Sequence, residues 1–96
     1  MLKLTSKQRA KLRGLASLED TIFQMGKEGI TENFIKAVDA ALAARELVKF
    51  KVLENAMVDR KVAAEEIAKE TKSIVVTVIG SKIVLYRPAE KPVIQL

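Results

Sequence analysis

The chain contains no cysteine and no histidine. That double absence excludes disulfides, zinc fingers, thiol nucleophiles and imidazole bases, and with them much of the side-chain chemistry that enzymes use. No stretch approaches the roughly 18 to 20 apolar residues of a membrane span. Met1-Leu2-Lys3-Leu4-Thr5 leads straight into a charged amphipathic segment rather than the apolar core of a signal peptide, so a cytoplasmic protein is expected. Aromatics are scarce: Phe23, Phe34, Phe50 and Tyr86. The three phenylalanines fit core positions, which argues against a platform that stacks successive bases. Repeats, low-complexity tracts and linkers are also missing. The 96 residues, 49% of them hydrophobic and 30% charged, are therefore expected to form one soluble domain spanning 1–96 around a single core.

What is present is an uneven charge. The net charge is +5. Lys3, Lys7, Arg9, Lys11 and Arg13 fall within the first fifteen residues with no acid among them, while the other twelve bases are matched by twelve acids. A basic footprint confined to one element points to a polyanionic partner; the plainer alternative is a solvated helix face that keeps the protein soluble.

Periodicity predicts the order α-β-α-β-α-β-β. A first helix runs from Thr5 to Ala16, opened by the capping-box pair Thr5 and Gln8, with Gln8, Leu12 and Leu15 at helical spacing. Residues 20–25 read as a strand. A second helix follows from Thr31, an N-cap, to Arg45, burying Phe34, Ile35, Val38, Ala41 and Leu42. Leu47 to Val52 alternates as a strand. Asp59 caps a third helix that ends near Thr71, with Val62, Ala63, Ile67 and Ala68 facing inward. Ile74–Ile79 and Lys82–Arg87 form a hairpin about Gly80-Ser81, closed by Pro88. The fold class expected is a two-layer α/β (α+β) domain. Two crossovers stack helices two and three on one face of a mixed four-stranded sheet. Strict alternation puts Ile74, Val76, Val78, Ile83 and Leu85 beneath those helices. Val75, Thr77, Ile79, Lys82, Val84 and Tyr86 then lie on the opposite face, partly covered by helix one or partly wet. Tyr86 there either stacks on a base or, the commoner fate, lies half-buried at a sheet edge.

Between the first strand and the second helix lies Gly26-Lys27-Glu28-Gly29. Glycines let the backbone turn tightly and let another chain approach with no Cβ in the way. The free N–H groups of a helix beginning at Thr31 and its dipole add positive potential, and Lys27 adds a full charge. A G-x-x-G loop of this kind is how KH domains clamp nucleotide backbone; an ordinary turn needs glycine too.

Four spaced segments carry a family resemblance. They are Leu4-Thr5-Ser6-Lys7-Gln8-Arg9 with Leu12-Arg13-Gly14-Leu15-Ala16; Gly26-Lys27-Glu28-Gly29-Ile30-Thr31; Glu46-Leu47-Val48-Lys49-Phe50-Lys51-Val52; and Val78-Ile79-Gly80 with Val84-Leu85-Tyr86-Arg87-Pro88. In this order, from about Leu4 to Pro88, they resemble the CRM domain (chloroplast RNA splicing and ribosome maturation), above all its stand-alone bacterial YhbY type. The resemblance implies an RNA-binding protein associated with precursors of the large ribosomal subunit. It also implies a fold similar to the C-terminal domain of translation initiation factor three, with the G-x-x-G loop and neighbouring bases on RNA. Three positions depart from the family pattern: Glu28 puts a negative charge in the loop, Thr71-Lys72 stands where Thr-Gly is frequent, and Ala44-Arg45 precedes Glu46 where a histidine is common.

On the joint strength of charge placement, loop and resemblance, the residues expected on RNA are Lys7, Lys11, Arg13, Gly26, Lys27, Glu28, Gly29 and Thr31. Lys49 and Lys51 point outward on strand two, toward salt-bridge neighbours or RNA alike. The adjacent Glu65-Glu66 reads as a solvated face, because helix neighbours point in different directions. No nucleophile, base and orienter assemble into a catalytic set, so the chain is expected to be no enzyme. Neither metal nor cofactor is expected. The expected partner is RNA, bound by a monomer; a protein-interaction module working through the mixed sheet face is the alternative.

Overall fold

The computed structural model describes residues 3–94. Met1 and Leu2, part of the opening stretch read against a signal peptide, lie outside the described residues. The elements are α1 (Ser6–Ser17), β1 (Phe23–Met25), α2 (Glu32–Arg45), β2 (Leu47–Val52), a 3-10 turn (Glu54–Ala56), α3 (Arg60–Thr71), β3 (Ile74–Ile79) and β4 (Lys82–Tyr86). The order matches the periodicity reading. Strand β1 is shorter than residues 20–25, although Ile22 still donates its N–H to the Lys49 carbonyl at 3.0 Å.

Local chemistry starts each helix. Thr5 Oγ1 accepts the Gln8 N–H at 3.1 Å while Gln8 Oε1 accepts the Thr5 N–H at 3.0 Å, a complete capping box. Thr31 accepts from Phe34 N, and Asp59 from both Lys61 N and Val62 N.

The sheet runs β1-β2-β4-β3. β1 and β2 are parallel, and β4 is antiparallel to both neighbours. β3 is thus parallel to β2 with β4 inserted between them, a split crossover that leaves the C-terminal ends of β1, β2 and β3 at one edge. α2 and α3 pack on one face through Val38, Leu42, Ala64, Ile67 and Ala68 against Met25, Val48, Phe50, Val52, Ile83 and Leu85. Phe34 joins them edge-on to Phe23 and Phe50, with ring centroids 6.1 and 5.4 Å apart. On the other face Leu12 and Ala16 of α1 meet Leu47, Val76, Val84 and Tyr86.

Strict alternation fails on β3. Register shifts between Val75 and Thr77, a β-bulge. The extra residue exchanges faces, so Val76 packs against α1 and Val75 against α2 and α3, the reverse of the expectation. The same register pairs Ile74 with Tyr86, a member of the α1-side cluster. Tyr86 is neither an edge residue nor a stacking surface. β4 is interior and the ring is 2% exposed; burial, helped by the charge of Glu46, pushes its phenol above the ordinary value. On α3, Val62 is 63% exposed whereas Ala64 is buried. Residues 63, 64, 67, 68 and 71 make one apolar stripe at 100° per residue, and Val62 lies nearly opposite it.

Two side-chain anchors were invisible to pattern reading. Glu46 ends α2 with φ 66° and is 2% exposed. Its carboxylate accepts N–H bonds from Ala89 (3.0 Å), Val93 (2.7 Å) and Ile94 (3.0 Å), tying down the tail after β4. Burial pushes this carboxyl up, but the three backbone donors outweigh it, and the net displacement is below the ordinary value. Arg87, also past β4, donates to Asp39 Oδ1 (2.6 Å) and the Thr71 carbonyl (2.7 Å), pinning the strand's end to α2 and α3.

A carboxyl depressed by folding contributes stability that is complete above its unfolded pKa and lost as pH falls through the folded one. Urea unfolding below about pH 4.5 should therefore show a progressive loss, shallower in Glu46→Gln; equal pH dependence in the two proteins would refute this role for Glu46. At the end of α3, Lys72 caps the helix in the left-handed region (φ 54°, ψ 42°). Lys72→Gly should raise stability by about 0.5 to 1 kcal/mol, read from the same titrations at pH 7.

Candidate nucleic-acid interface

Helix α1 sorts its own bases. Its apolar seam, Leu12 and Ala16, faces the sheet. Lys7, Lys11 and Arg13 lie away from that seam and are exposed. Arg9 sits one turn before Leu12 on the sheet side. Its guanidinium donates to the Val75 and Val76 carbonyls at 2.6 and 2.8 Å, satisfying the bulged edge of β3. Lys49 is likewise structural: its ammonium donates to the carbonyls of Ala16 and Glu19 at 3.2 Å each, closing the C-terminal end of α1. Two of the cations that sequence reading grouped with the surface charge therefore hold α1 to the sheet.

The GKEG segment is a β-turn. Gly29 N donates to Gly26 O at 2.9 Å, and Lys27 and Glu28 occupy the exposed corner. Gly29 has φ 67°, which accounts for glycine there. Gly26 has no positive φ, and a Cβ on it would meet only Leu53 Cδ1 at 3.8 Å and Asn55 Oδ1 at 3.9 Å, ordinary contacts. The fold needs glycine at 29 and does not need it at 26. Thr31 Oγ1 is engaged as the cap of α2, 3.0 Å from Phe34 N. Gly26, Lys27, Glu28, Gly29 and Thr31 gather at the C-terminal end of β1, whereas Lys7, Lys11 and Arg13 lie on the helix that covers the opposite face from α2. The expected site thus falls into two groups.

Lys51 and Lys82 lie between those groups. They are on the α1 face of the sheet, one alternation step beyond Lys49 and Val84 toward the loop edge. Across α1 and the strand residues on its face the charges are Lys7, Arg9, Lys11, Arg13, Lys49, Lys51 and Lys82, with no carboxylate. Acids are found on the other layer, at Glu32 and Asp39 on α2 and Glu65, Glu66 and Glu70 on α3. The sheet therefore separates a basic side from a mixed one. A cleft of about 1200 Å³ lies by α3 and β3; Glu65, Glu66 and Glu70 line it together with Arg9, Lys69 and Lys72, so it offers a polyanion no net positive charge. Sequence reading missed Lys82 because only the cross-strand register brings it beside Lys51.

The CRS1 / YhbY (CRM) domain model matches residues 4–87. The chain belongs to the CRM domain family. A Bacillus subtilis protein named "Probable RNA-binding protein YqeI" is 43% identical over 88 residues, 92% of each chain. A Haemophilus influenzae protein named "RNA-binding protein" is 36% identical over 96 residues, covering 100% of this chain and 97% of its own. The solution structure of a Staphylococcus aureus protein superposes with a TM-score of 0.79 at 49% identity, over 93% of both chains. Its agreement extends to the three-helix, four-stranded α+β architecture of the CRM chain. Among the described residues no helix is long and apolar enough to cross a membrane, and no three potential metal-ligating side chains cluster.

The two roles of the α1 bases separate by thermal melting. Arg9→Gln should destabilise by about 1 to 3 kcal/mol, since it removes charged hydrogen bonds to two carbonyls. Lys7→Gln should melt within about 0.5 kcal/mol of the parent. Equal melting of Arg9→Gln and the parent would remove Arg9 from the structural set.

Proposed function

We propose that this CRM chain binds structured RNA, its backbone lying along the outer bases of α1 and against the GKEG turn. The observation that carries the reading is that α1 and the strand residues on its face hold seven bases and no acid. An exposed surface dominated by one sign of charge focuses the potential that draws polyanions. The names of the Bacillus and Haemophilus relatives support it. The residues proposed on RNA are Lys7, Lys11, Arg13, Gly26, Lys27, Glu28, Gly29 and Thr31. Contacts are to phosphate and to RNA shape, because Tyr86 is buried and the phenylalanines pack in or against the core.

The proposed target is ribosomal RNA of large-subunit precursors, bound in the cytoplasm by a monomer acting as one domain without cofactor. That part rests on the family resemblance. A protein partner on the mixed sheet face is less well supported, because α1 already covers the apolar part of that face.

Titration with structured RNA at several salt concentrations should give a log-log slope of magnitude roughly 2 to 4, at about 0.7 to 0.9 per phosphate contact. A slope near zero contradicts the proposal. Replacing Lys7, Lys11 and Arg13 with glutamine should weaken binding to all RNAs alike and flatten the slope. In the turn, Gly26→Asp is the sharpest probe, since neither backbone angle nor packing demands glycine there. It should stay folded and cost more affinity than Lys27→Ala, while Glu28→Gln should bind equally or better. Unchanged affinity in Gly26→Asp would move the RNA off the turn.

A further inference from the structure

The row of residues that crosses the sheet just beyond α1 is Gln24, Lys51, Lys82 and Ile79, one from each strand. Lys51 and Lys82 are directly opposed on antiparallel strands. Val52 N donates to Ser81 O at 2.7 Å, the bond that flanks this pair. A pair flanked by such a bond is of the non-hydrogen-bonded type, in which side chains come closest. Like charges opposed in this way destabilise a sheet. Among the described residues neither lysine has a carboxylate or hydrogen-bond partner, whereas Lys49, one step back along β2, donates to the Ala16 and Glu19 carbonyls. Gln24 and Lys82 are exposed, Lys51 is half-buried, and Ile79 is 63% exposed.

The fold thus sets two unneutralised ammonium groups side by side on the part of its basic face that lies beyond α1, toward the GKEG edge. An anion placed between them would turn the repulsion into two attractions. We infer that Lys51 and Lys82 form a two-lysine clamp for an RNA phosphate, holding the backbone as it crosses from the α1 bases to the GKEG turn. This rests on the RNA-binding reading above and assigns two residues and a path to it. Gln24 at one end of the row offers hydrogen bonds to a ribose or phosphate oxygen, and Ile79 at the other offers an apolar contact to a sugar.

The test uses the full chain, a structured RNA hairpin with single-stranded arms, and two readouts. In binding, the double variant Lys51→Gln/Lys82→Gln should lower the magnitude of the salt slope by about 0.7 to 0.9, the value for one phosphate contact. In melting without RNA, Lys82→Gln should raise the midpoint at low ionic strength, and the gain should disappear at high salt, because screening already relieves the repulsion. Lys82→Glu should stabilise further by pairing with Lys51 while binding RNA less well than Lys82→Gln. If the parent binds with a steep slope, the α1 triple variant weakens it, and the double lysine variant leaves slope and affinity unchanged, the clamp is overturned and the RNA reading stands. If the parent itself binds without salt dependence, both fall. A lowered midpoint in Lys82→Gln at low salt would mark the lysines as structural and would also overturn the clamp.

Discussion

The insertion of β4 between β2 and β3 decides where everything else lies. Its residues alternate into two cores: Ile83 and Leu85 are fully buried beneath α2 and α3, and Val84 and Tyr86 are 3% and 2% exposed beneath α1. A side chain so placed contributes roughly 1.5 to 3 kcal/mol by burial alone, so the strand is held from both faces. Because it is antiparallel to both neighbours, β2 and β3 run parallel to each other, and with β1 their C-terminal ends share one edge. The GKEG turn, the Glu54–Ala56 turn and the Gly80-Ser81 hairpin follow those strand ends.

The same strand gives α1 its seat and so creates the charged face. Once Leu12 and Ala16 are buried against Val84 and Tyr86, helical geometry turns Lys7, Lys11 and Arg13 outward and directs Arg9 at the β3 edge. Arg9 occupies two carbonyls of an edge strand at its bulge, groups that an edge otherwise leaves unpaired. The acids of α2 and α3 stay behind the sheet. Charge separation is thus a result of topology, and the charge count of the first fifteen residues becomes a surface only because α1 docks where it does.

Features set by neighbours in sequence were legible. Thr5 and Gln8 announce α1, Asp59 announces α3, and Gly80-Ser81 marks the hairpin. The GKEG turn was recognisable too, although only its backbone angles distinguish Gly29, required for φ, from Gly26, which is not. Features set by distant partners were hidden. The bulge at Val76 depends on pairing with β4, and period-two reading therefore swapped Val75 and Val76. Nothing in the residues around Glu46 marks its role, because it accepts bonds from residues more than forty positions away. Lys82 gained meaning only from its register with Lys51. For Val62 the error was local: a valine beside Ala63 was assigned to the wrong side of a narrow stripe.

The measurement that bears most directly on this account is a map of backbone amide chemical shifts as structured RNA is titrated into the labelled protein. The account predicts changes on the outer side of α1, in the GKEG turn and along the Gln24–Lys51–Lys82–Ile79 row, with α3 around Glu65 and Glu66 left unmoved. Changes centred on α3 and the cleft beside it, with the α1 side silent, would contradict it.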